Sequence, residues 1–267
     1  MSAELVFIPA YNEQDGVADV ILSVKAAAPD VDILVIDDGS SDLTAARARA
    51  AGAKVASLPF NQGLGAALQT GYLEARRGGY LRCAHLDADG QHRPEDMLRL
   101  LQAVRDDECD LAVGSRYLSP SDDEESYSPS RLRSIGSRMF RRLLSWATGQ
   151  VFTDTTSGLR AANQQIIEHF AGTYAPDYAE LESLQRALAV GLRVKEYPVM
   201  MLPRSAGESK IGPWASLHFT FKSMLVIIIG SLRRRRDREQ GKRLSMERTT
   251  LVSEQQTHDD KGQEAGS

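Results

Sequence analysis

The chain has little with which to staple itself. Of its 267 residues only two are cysteine, Cys83 and Cys109, far apart and each set in an apolar stretch. That excludes a disulfide framework and a paired-cysteine zinc site, and it predicts buried, reduced thiols in a cytosolic protein. Net charge is −4, so no overall basic field points to nucleic acid as a partner. The opening "MSAELVFIPAYNE" lacks a basic n-region, and its apolar run is too short for a signal peptide. We therefore expect a protein that stays in the compartment where it is made. No internal repeat is visible, and the length suits one large or two small domains.

What the chain does have is alternation. Short β-branched runs at Leu5–Pro9, Ile33–Asp37, Lys54–Leu58, Tyr80–Leu86 and Asp110–Gly114 are bounded by Gly, Asp, Asn or Pro and predict buried strands. Between them, Gly16–Ala28, Leu43–Ala51, Gly65–Arg76 and Pro94–Asp106 predict helices, the last opened by Pro94 with Glu95 and Asp96 at its positive end. This is the pattern of an α/β fold whose mostly parallel sheet is covered by helices on both faces. Further on, "SPSDDEESYSPS" at 119–130 predicts a mobile surface loop, and an arginine-rich helix is expected from about Arg131 to Ala147. "DTTSGLRAAN" is read as a turn into the helices Gln164–Phe170 and Tyr178–Val190, before a strand at Val194–Met201.

Ligands of such sheets collect at the carboxyl ends of the strands, and that is where the unusual residues stand. In "HLDADGQH" two carboxylates, Asp87 and Asp89, follow an apolar run directly. On an extended segment they point the same way and repel unless a cation lies between them. A solvated Asx turn explains the same residues locally. An EF-hand fits poorly, because its loop needs ligands at alternating positions and a distal Glu. Mg2+ or Mn2+ on a diphosphate fits better, being held by one or two carboxylates plus phosphate oxygens, and Gln91 can add an amide oxygen. "VIDDGSSD" is a second acidic turn, in which Ser40, Ser41 or Asp42 could cap the following helix. A carboxylate there could also accept from ribose or base groups. "FNQGLGAALQTG" sets Gly63 and Gly65 before a helix, but it has neither a P-loop lysine nor G-x-G-x-x-G, so close backbone packing is the expected role.

Taken together, "PAYNE", "DDGSSDLT", "NQGLGAALQTG", "LDADGQH" and "VGSRY", in this order and spacing, resemble the family 2 glycosyltransferases of GT-A, Rossmann-like fold. "DTTSGLRAAN" and "PRSAGESK" narrow the resemblance to the polyprenol-phosphate (dolichol-phosphate) mannose and glucose synthases, over roughly residues 4–212. The resemblance implies that Pro9, Tyr11, Glu13 and Asp38 line a nucleoside pocket of the donor. It implies that Asp87, Ala88 and Asp89, with Gln91, form the turn holding a divalent metal on the donor diphosphate. Arg204 and Lys210 would close over that diphosphate from a flexible loop. On composition alone "PRSAGESK" is a solvated basic turn, but arginine suits bidentate phosphate contact and the neighbouring glycine permits a lid.

Transfer to a sugar hydroxyl needs a general base, whereas a lipid phosphate monoester is already an anionic nucleophile. The Gln-x-x-Arg-Trp motif of processive family 2 synthases is absent. Arg116 in "GSRY", with Arg131 and Arg133 in "SRLRS", offers cations where the related synthases bind the acceptor phosphate; a basic helix face accounts better for Arg138, Arg141 and Arg142. One departure stands out: the loop between Arg116 and Arg131 is acidic, where glycine and apolar residues are expected near a membrane.

The chain changes character after Gly212. The 20 residues Pro213–Leu232 are apolar and aromatic with a single charge, Lys222. They could just cross a ~30 Å hydrocarbon core, but Lys222 and His218 would lie near its middle and "RRRRDR" would face outside, against the positive-inside tendency. An interfacial helix on an anionic cytoplasmic surface satisfies both constraints, with Trp214, Phe219 and Phe221 at the interface; a core helix or a dock for a small membrane-protein partner is the alternative. The expected layout is thus a catalytic domain at 1–212, an interfacial helix at 213–232 and a basic, then disordered tail at 233–267. The expected activity is transfer of a hexose, mannose from GDP-mannose foremost, to a polyprenyl phosphate by a peripheral enzyme at the inner membrane face. Its rivals are a transferase acting on a hydroxyl of a lipid-linked or cell-wall glycan, and a non-catalytic nucleotide-sugar-binding regulator.

Overall fold

Alternation along the first strand sets the architecture. The structure, a computed structural model, describes residues 2–118, 145, 150–174 and 179–202. In β1 (Glu4–Ala10) every residue is buried. Leu5 and Phe7 enter one apolar core with Leu34, Ile36, Leu68 and Tyr72, while Val6 and Ile8 enter a second with Val17, Ile21, Val35 and Leu100. Successive side chains of a strand point to opposite faces, so a strand apolar at every position needs a cover on each side.

That cover comes from helices. The strands β1, β2 (Asp32–Asp37), β3 (Lys54–Ser57), β4 (Arg82–His85), β5 (Leu111–Ser115), β6 (Arg160–Asn163) and β7 (Val194–Pro198) form one sheet in the order β3-β2-β1-β4-β6-β5-β7. Helices α1 (Val17–Ala27), α2 (Thr44–Ala50) and α4 (Pro94–Arg105) pack on one face. Helices α3 (Leu64–Arg77), α5 (Gln164–Thr173) and α6 (Ala179–Ala189) pack on the other. In α4, Met97, Leu100, Leu101 and Val104 are buried, the i, i+3, i+4, i+7 stripe of a helix lying on a sheet. Pro94 and the acidic pair Glu95 and Asp96 open it as expected.

Every pairing is parallel except those of β6, which runs antiparallel between β4 and β5. The turn expected at "DTTSGLRAAN" is corrected here: its second half is a strand. Arg-Ala-Ala-Asn has no β-branched residue and no strand propensity to advertise itself. Small side chains are what the place requires, since Ala161 and Ala162 lie buried in opposite cores between two strands. Strand boundaries also shift, most at β4 and β7. β4 spans Arg82–His85 rather than Tyr80–Leu86, and β7 stops at Pro198, with Met201 forming only an isolated bridge to His92. Cys83 and Cys109 are free and buried, as expected.

The acidic loop 119–130 and the C-terminal segments 213–232 and 233–267 lie outside the described residues. So does the helix expected at 131–147 but for Ser145, together with Arg131, Arg133, Arg204 and Lys210. Among the described residues no helix is long and apolar enough to cross a membrane.

Helix α3 approaches β1 so closely that only glycine fits at Gly71, where a Cβ would stand 2.3 Å from Phe7 Cδ2. The Phe7 ring cannot swing aside freely, being stacked on His85 at 5.2 Å and set edge-on to Tyr72 at 5.1 Å. Alanine in a helix interior gains about 1 kcal/mol over glycine, whereas overpacking costs about 1–3 kcal/mol. With so short a contact the second effect wins. Gly71→Ala should lower the urea unfolding midpoint, and a raised midpoint would show the approach to be looser than this.

Candidate active site

The sheet opens where its strand order reverses. β1 pairs with β4 only as far as Phe7 opposite His85, while its pairing with β2 continues to Ala10 opposite Asp37. Pro9, buried in β1, therefore has a strand neighbour on one side only, which is how a central strand tolerates a residue with no N–H. Beyond this point β1 and β4 part at their carboxyl ends, the place where such sheets bind ligands.

One side of this opening is stitched from the loops after β1 and β2. Asn12 takes a left-handed conformation at φ 55°. Its amide donates to Ser40 Oγ at 3.0 Å, and its side-chain oxygen accepts from the Ser41 amide at 2.9 Å. The Glu13 amide donates to Thr44 Oγ1 at 2.9 Å, and the Gln14 amide to Asp42 at 3.2 Å. None of the three expected caps holds the N-cap position of α2, which is Leu43 without a side-chain cap; Asp42, one residue earlier, accepts from the Thr44 amide at 2.9 Å, and Ser40 and Ser41 turn to Asn12 instead. Asp38 stands at the end of β2 as expected, but its two oxygens accept from the Gln62 and Gly63 amides at 2.8 and 2.9 Å. It braces the loop that opens α3. Tyr11, 42% exposed, faces outward at the rim.

The acidic turn follows β4. Because the strand ends at His85, Asp87 and Asp89 do not share one face of an extended segment, and that expectation is corrected. They sit in a tight turn in which Asp89 Oδ1 accepts from the Gln91 amide at 3.1 Å, the local Asx arrangement. Ala88 between them is buried. The Asp87 carboxylate, 40% exposed, has the buried His92 Nε2 at 3.4 Å. Burial pushes its pKa up, but the His92 imidazole beside it, with the positive charge of Arg116, brings it below the usual carboxylate value. His85 itself is driven down to about 3, chiefly by burial with the charge of Arg160 adding to it, so it is neutral beneath the turn. Gln91 Nε2 donates to the Leu202 carbonyl at 3.2 Å, and the Leu202 amide returns a bond to Gln91 at 2.9 Å. Two carboxylates and an amide are hard oxygen donors of the kind Mg2+ and Mn2+ share with a diphosphate. The residues present therefore fit such an ion.

Across β6 lies the cationic part. His85 of β4 and Val113 of β5 both pair with Arg160, so Asp87 and Arg116 project from strands two places apart, about 10 Å between axes. Arg116 grips Asp154 bidentately, through Nε at 2.6 Å and Nη2 at 2.7 Å, and Nη2 also donates to Thr156 Oγ1 at 2.7 Å. Asp154 is 1% exposed and Arg116 24%. Below them Glu196 of β7 accepts from the Thr153 and Asp154 amides, each at 2.7 Å. Arg160, fully buried, donates to the Ser157 and Glu180 carbonyls and to Ser183 Oγ. Asp154, Glu196, His92, Gly158 and Arg160 escaped the reading of the sequence. "DTTSG" was visible as a motif without a role, while Glu196 sits in an ordinary strand and gives no signal at all.

The model of glycosyl transferase family 2 matches residues 5–170. The chain belongs to that family. The polyprenol monophosphomannose synthase of Mycolicibacterium smegmatis is 34% identical over 216 residues, spanning 78% of this chain and 80% of that protein. The undecaprenyl-phosphate mannosyltransferase of Micrococcus luteus is 32% identical over 216 residues, spanning 78% and 86%. Among solved structures, glucosyl-3-phosphoglycerate synthase of Mycobacterium tuberculosis, in complex with Mg2+ and uridine diphosphate, superposes with a TM-score of 0.63 at 21% identity, covering 86% of this chain and 78% of that one. That likeness shows the GT-A fold.

Asp154 lends the site a pH signature. Burial raises its pKa, but the hydrogen bonds and charge of Arg116, with the Arg116 and Thr156 amides, outweigh burial and hold it below the usual 3.8. A depressed carboxylate contributes stability that is complete above its unfolded pKa and is lost as pH falls through the folded one. The pair should therefore contribute about 2 kcal/mol at neutral pH, fading below about pH 4. Urea unfolding of the native chain and of Asp154→Asn across pH 3–8 checks this; a stability difference that grows on acidification contradicts it.

Proposed function

We propose that this glycosyltransferase moves a hexose, mannose from GDP-mannose foremost, onto a polyprenyl phosphate. The observation that carries the reading is the fixed guanidinium of Arg116 across one strand from the acidic turn, in a chain whose relatives are named for transfer to polyprenol and undecaprenyl phosphate. Asp87, Asp89 and Gln91 would hold Mg2+ or Mn2+ on the donor diphosphate, and the ion when bound neutralises the leaving group. Pro9, Tyr11 and Glu13 line the nucleoside side, with Asp38 bracing the loop behind them. Leu202, the residue that immediately precedes "PRSAGESK" in the chain, is bonded to Gln91 of the acidic turn. That supports a role for Arg204 and Lys210 over the diphosphate.

In the transfer, an acceptor phosphate oxygen forms the bond to C1 of the sugar as the bond from C1 to the diphosphate oxygen breaks, with inversion. No proton must be removed, because a phosphate monoester near neutral pH is largely ionised, with its second pKa about 6. Catalysis then rests on holding the two anions in line. Arg116 turns its Nε edge to Asp154 and its Nη1 end toward Met201. It would orient the acceptor as a fixed positive charge, with Arg131 as a second cation.

Release of nucleotide from GDP-mannose, measured with and without polyprenyl phosphate, tests the assignment. Turnover should need both acceptor and divalent metal. Asp89→Asn should abolish it, because an amide cannot balance the cation's charge. Arg116→Ala should raise the acceptor KM by about 10–100-fold, as loss of a charged hydrogen bond does, with the donor KM unchanged. Full activity of Asp89→Asn in chelator, or equal use of a hydroxyl acceptor, would overturn the reading.

The acceptor's chain stays in the bilayer, so the enzyme works at a membrane surface, for which Pro213–Leu232 and the basic run after it are the proposed attachment. Seven basic residues against two acidic ones between Arg233 and Arg243, at about 1 kcal/mol per cation near an anionic surface, should give salt-sensitive flotation with anionic vesicles. A chain ending at Gly212 should float poorly; equal flotation would return the segment to the core.

A further inference from the structure

The loop leading into β6, Thr153–Gly158, touches both halves of the site. At one end Asp154 holds the Arg116 guanidinium by two bonds, and Thr156 adds a third. At the other end stands Gly158, whose missing side chain is the space that the Asp87 carboxylate occupies. A Cβ there would lie 2.2 Å from Oδ2 and 2.6 Å from both Oδ1 and Cγ of Asp87. The loop is itself anchored without help from any ligand. Glu196 accepts two successive amides from below, and Ser115 Oγ meets Thr153 Oγ1 at 2.6 Å, tying the loop to the end of β5.

We propose that Thr153–Gly158 is the positioning loop of this site, Asp154 setting where the Arg116 guanidinium stands and Gly158 setting where the Asp87 carboxylate stands. One short element thereby fixes the span between acceptor cation and donor-side carboxylate. The inference rests on the roles given to Arg116 and Asp87 above. Its physical basis is restriction of motion. A free arginine side chain keeps about 2 kcal/mol of rotamer entropy, which the planar grip of a buried carboxylate removes before the acceptor arrives. Asp87 is short and partly exposed, so it could take other rotamers, and a bare backbone behind it leaves one well-defined seat. Displacement of a reacting group by about 1 Å costs on the order of 100-fold in rate, so an element that fixes both ends matters to catalysis more than to folding.

The two ends are separable by experiment on the full-length chain. Gly158 has an ordinary backbone conformation, and the atoms an alanine would meet are the end of a partly exposed side chain, so Gly158→Ala should fold. In the presence of GDP its Mn2+ affinity, read by electron paramagnetic resonance with no acceptor present, should fall about tenfold or more, while acceptor KM changes little. Asp154→Asn should show the opposite split, with acceptor KM raised about tenfold and Mn2+ affinity unchanged. If Asp154→Asn fails to fold, Glu196→Gln takes its place and should raise acceptor KM alone, by less. Wild-type Mn2+ affinity in Gly158→Ala, or variants that move both readouts together as general loosening would, overturns the proposal. Arg116→Ala is measured alongside. If it leaves acceptor KM unchanged, the acceptor reading falls and takes the Asp154 half with it. A raised KM in Arg116→Ala with none in Asp154→Asn overturns the positioning role only.

Discussion

The insertion of β6 between β4 and β5 is the constraint from which the rest of the site follows. Without it the sheet would bring the ends of β4 and β5 together as neighbours, and Asp87 and Arg116 would form a direct ion pair. With Arg160 paired to both His85 and Val113, the carboxylate and the guanidinium are held one strand apart. Because β6 runs the other way, the loop that precedes it reaches the site from the same edge at which β4 and β5 end. A parallel strand would have delivered a loop to the far edge of the sheet. The reversal of one four-residue strand thus supplies the site with Asp154 and Gly158.

The loops after β1 and β2 are ordered by a different means. They bond chiefly to one another, amide to hydroxyl and amide to carboxylate, and Asp38 ties in the start of α3. Loops fixed in this way lose little conformational freedom when a ligand arrives, and that loss is a principal cost of binding. It follows that much of the conspicuous polarity of "PAYNE" and "DDGSSD" is spent on shape. Asp38 illustrates the point, because a buried carboxylate with both oxygens on backbone amides contributes to a pocket by bracing its wall.

The sheet and its helices were legible because burial on two faces writes itself into β1, β2 and α4 as unbroken or periodic apolar runs. The acidic turn was legible because Asp, Gly and Gln crowd the end of such a run. β6 was not, since a short strand packed between two others needs small residues, and Ala161 and Ala162 carry no strand preference. The partners of Arg116 were hidden for another reason. Asp154 lies 38 residues from Arg116 and Glu196 a further 42 beyond Asp154, so their meeting is a product of topology. Reading Asp87 and Asp89 as one face of a strand failed for a related cause, namely that β1 and β6 give β4 no partner beyond His85.

Charge distribution explains why a site so arranged needs both a cation on one side and fixed geometry on the other. Arg116 and Asp154 together are nearly neutral at a distance, so the pair does little to draw an anion from solution; what Asp154 supplies is a fixed position for the guanidinium. On the opposite side Asp87 and Asp89 would confront the diphosphate of the proposed donor with charge of its own sign. A carboxylate and a phosphate oxygen about 4 Å apart repel by about 4 kcal/mol at an effective dielectric of 20, and two carboxylates facing a diphosphate multiply that cost. A divalent ion shared between them would turn repulsion into attraction, and Asp87, held below the usual carboxylate range, is ionised at neutral pH as that sharing requires.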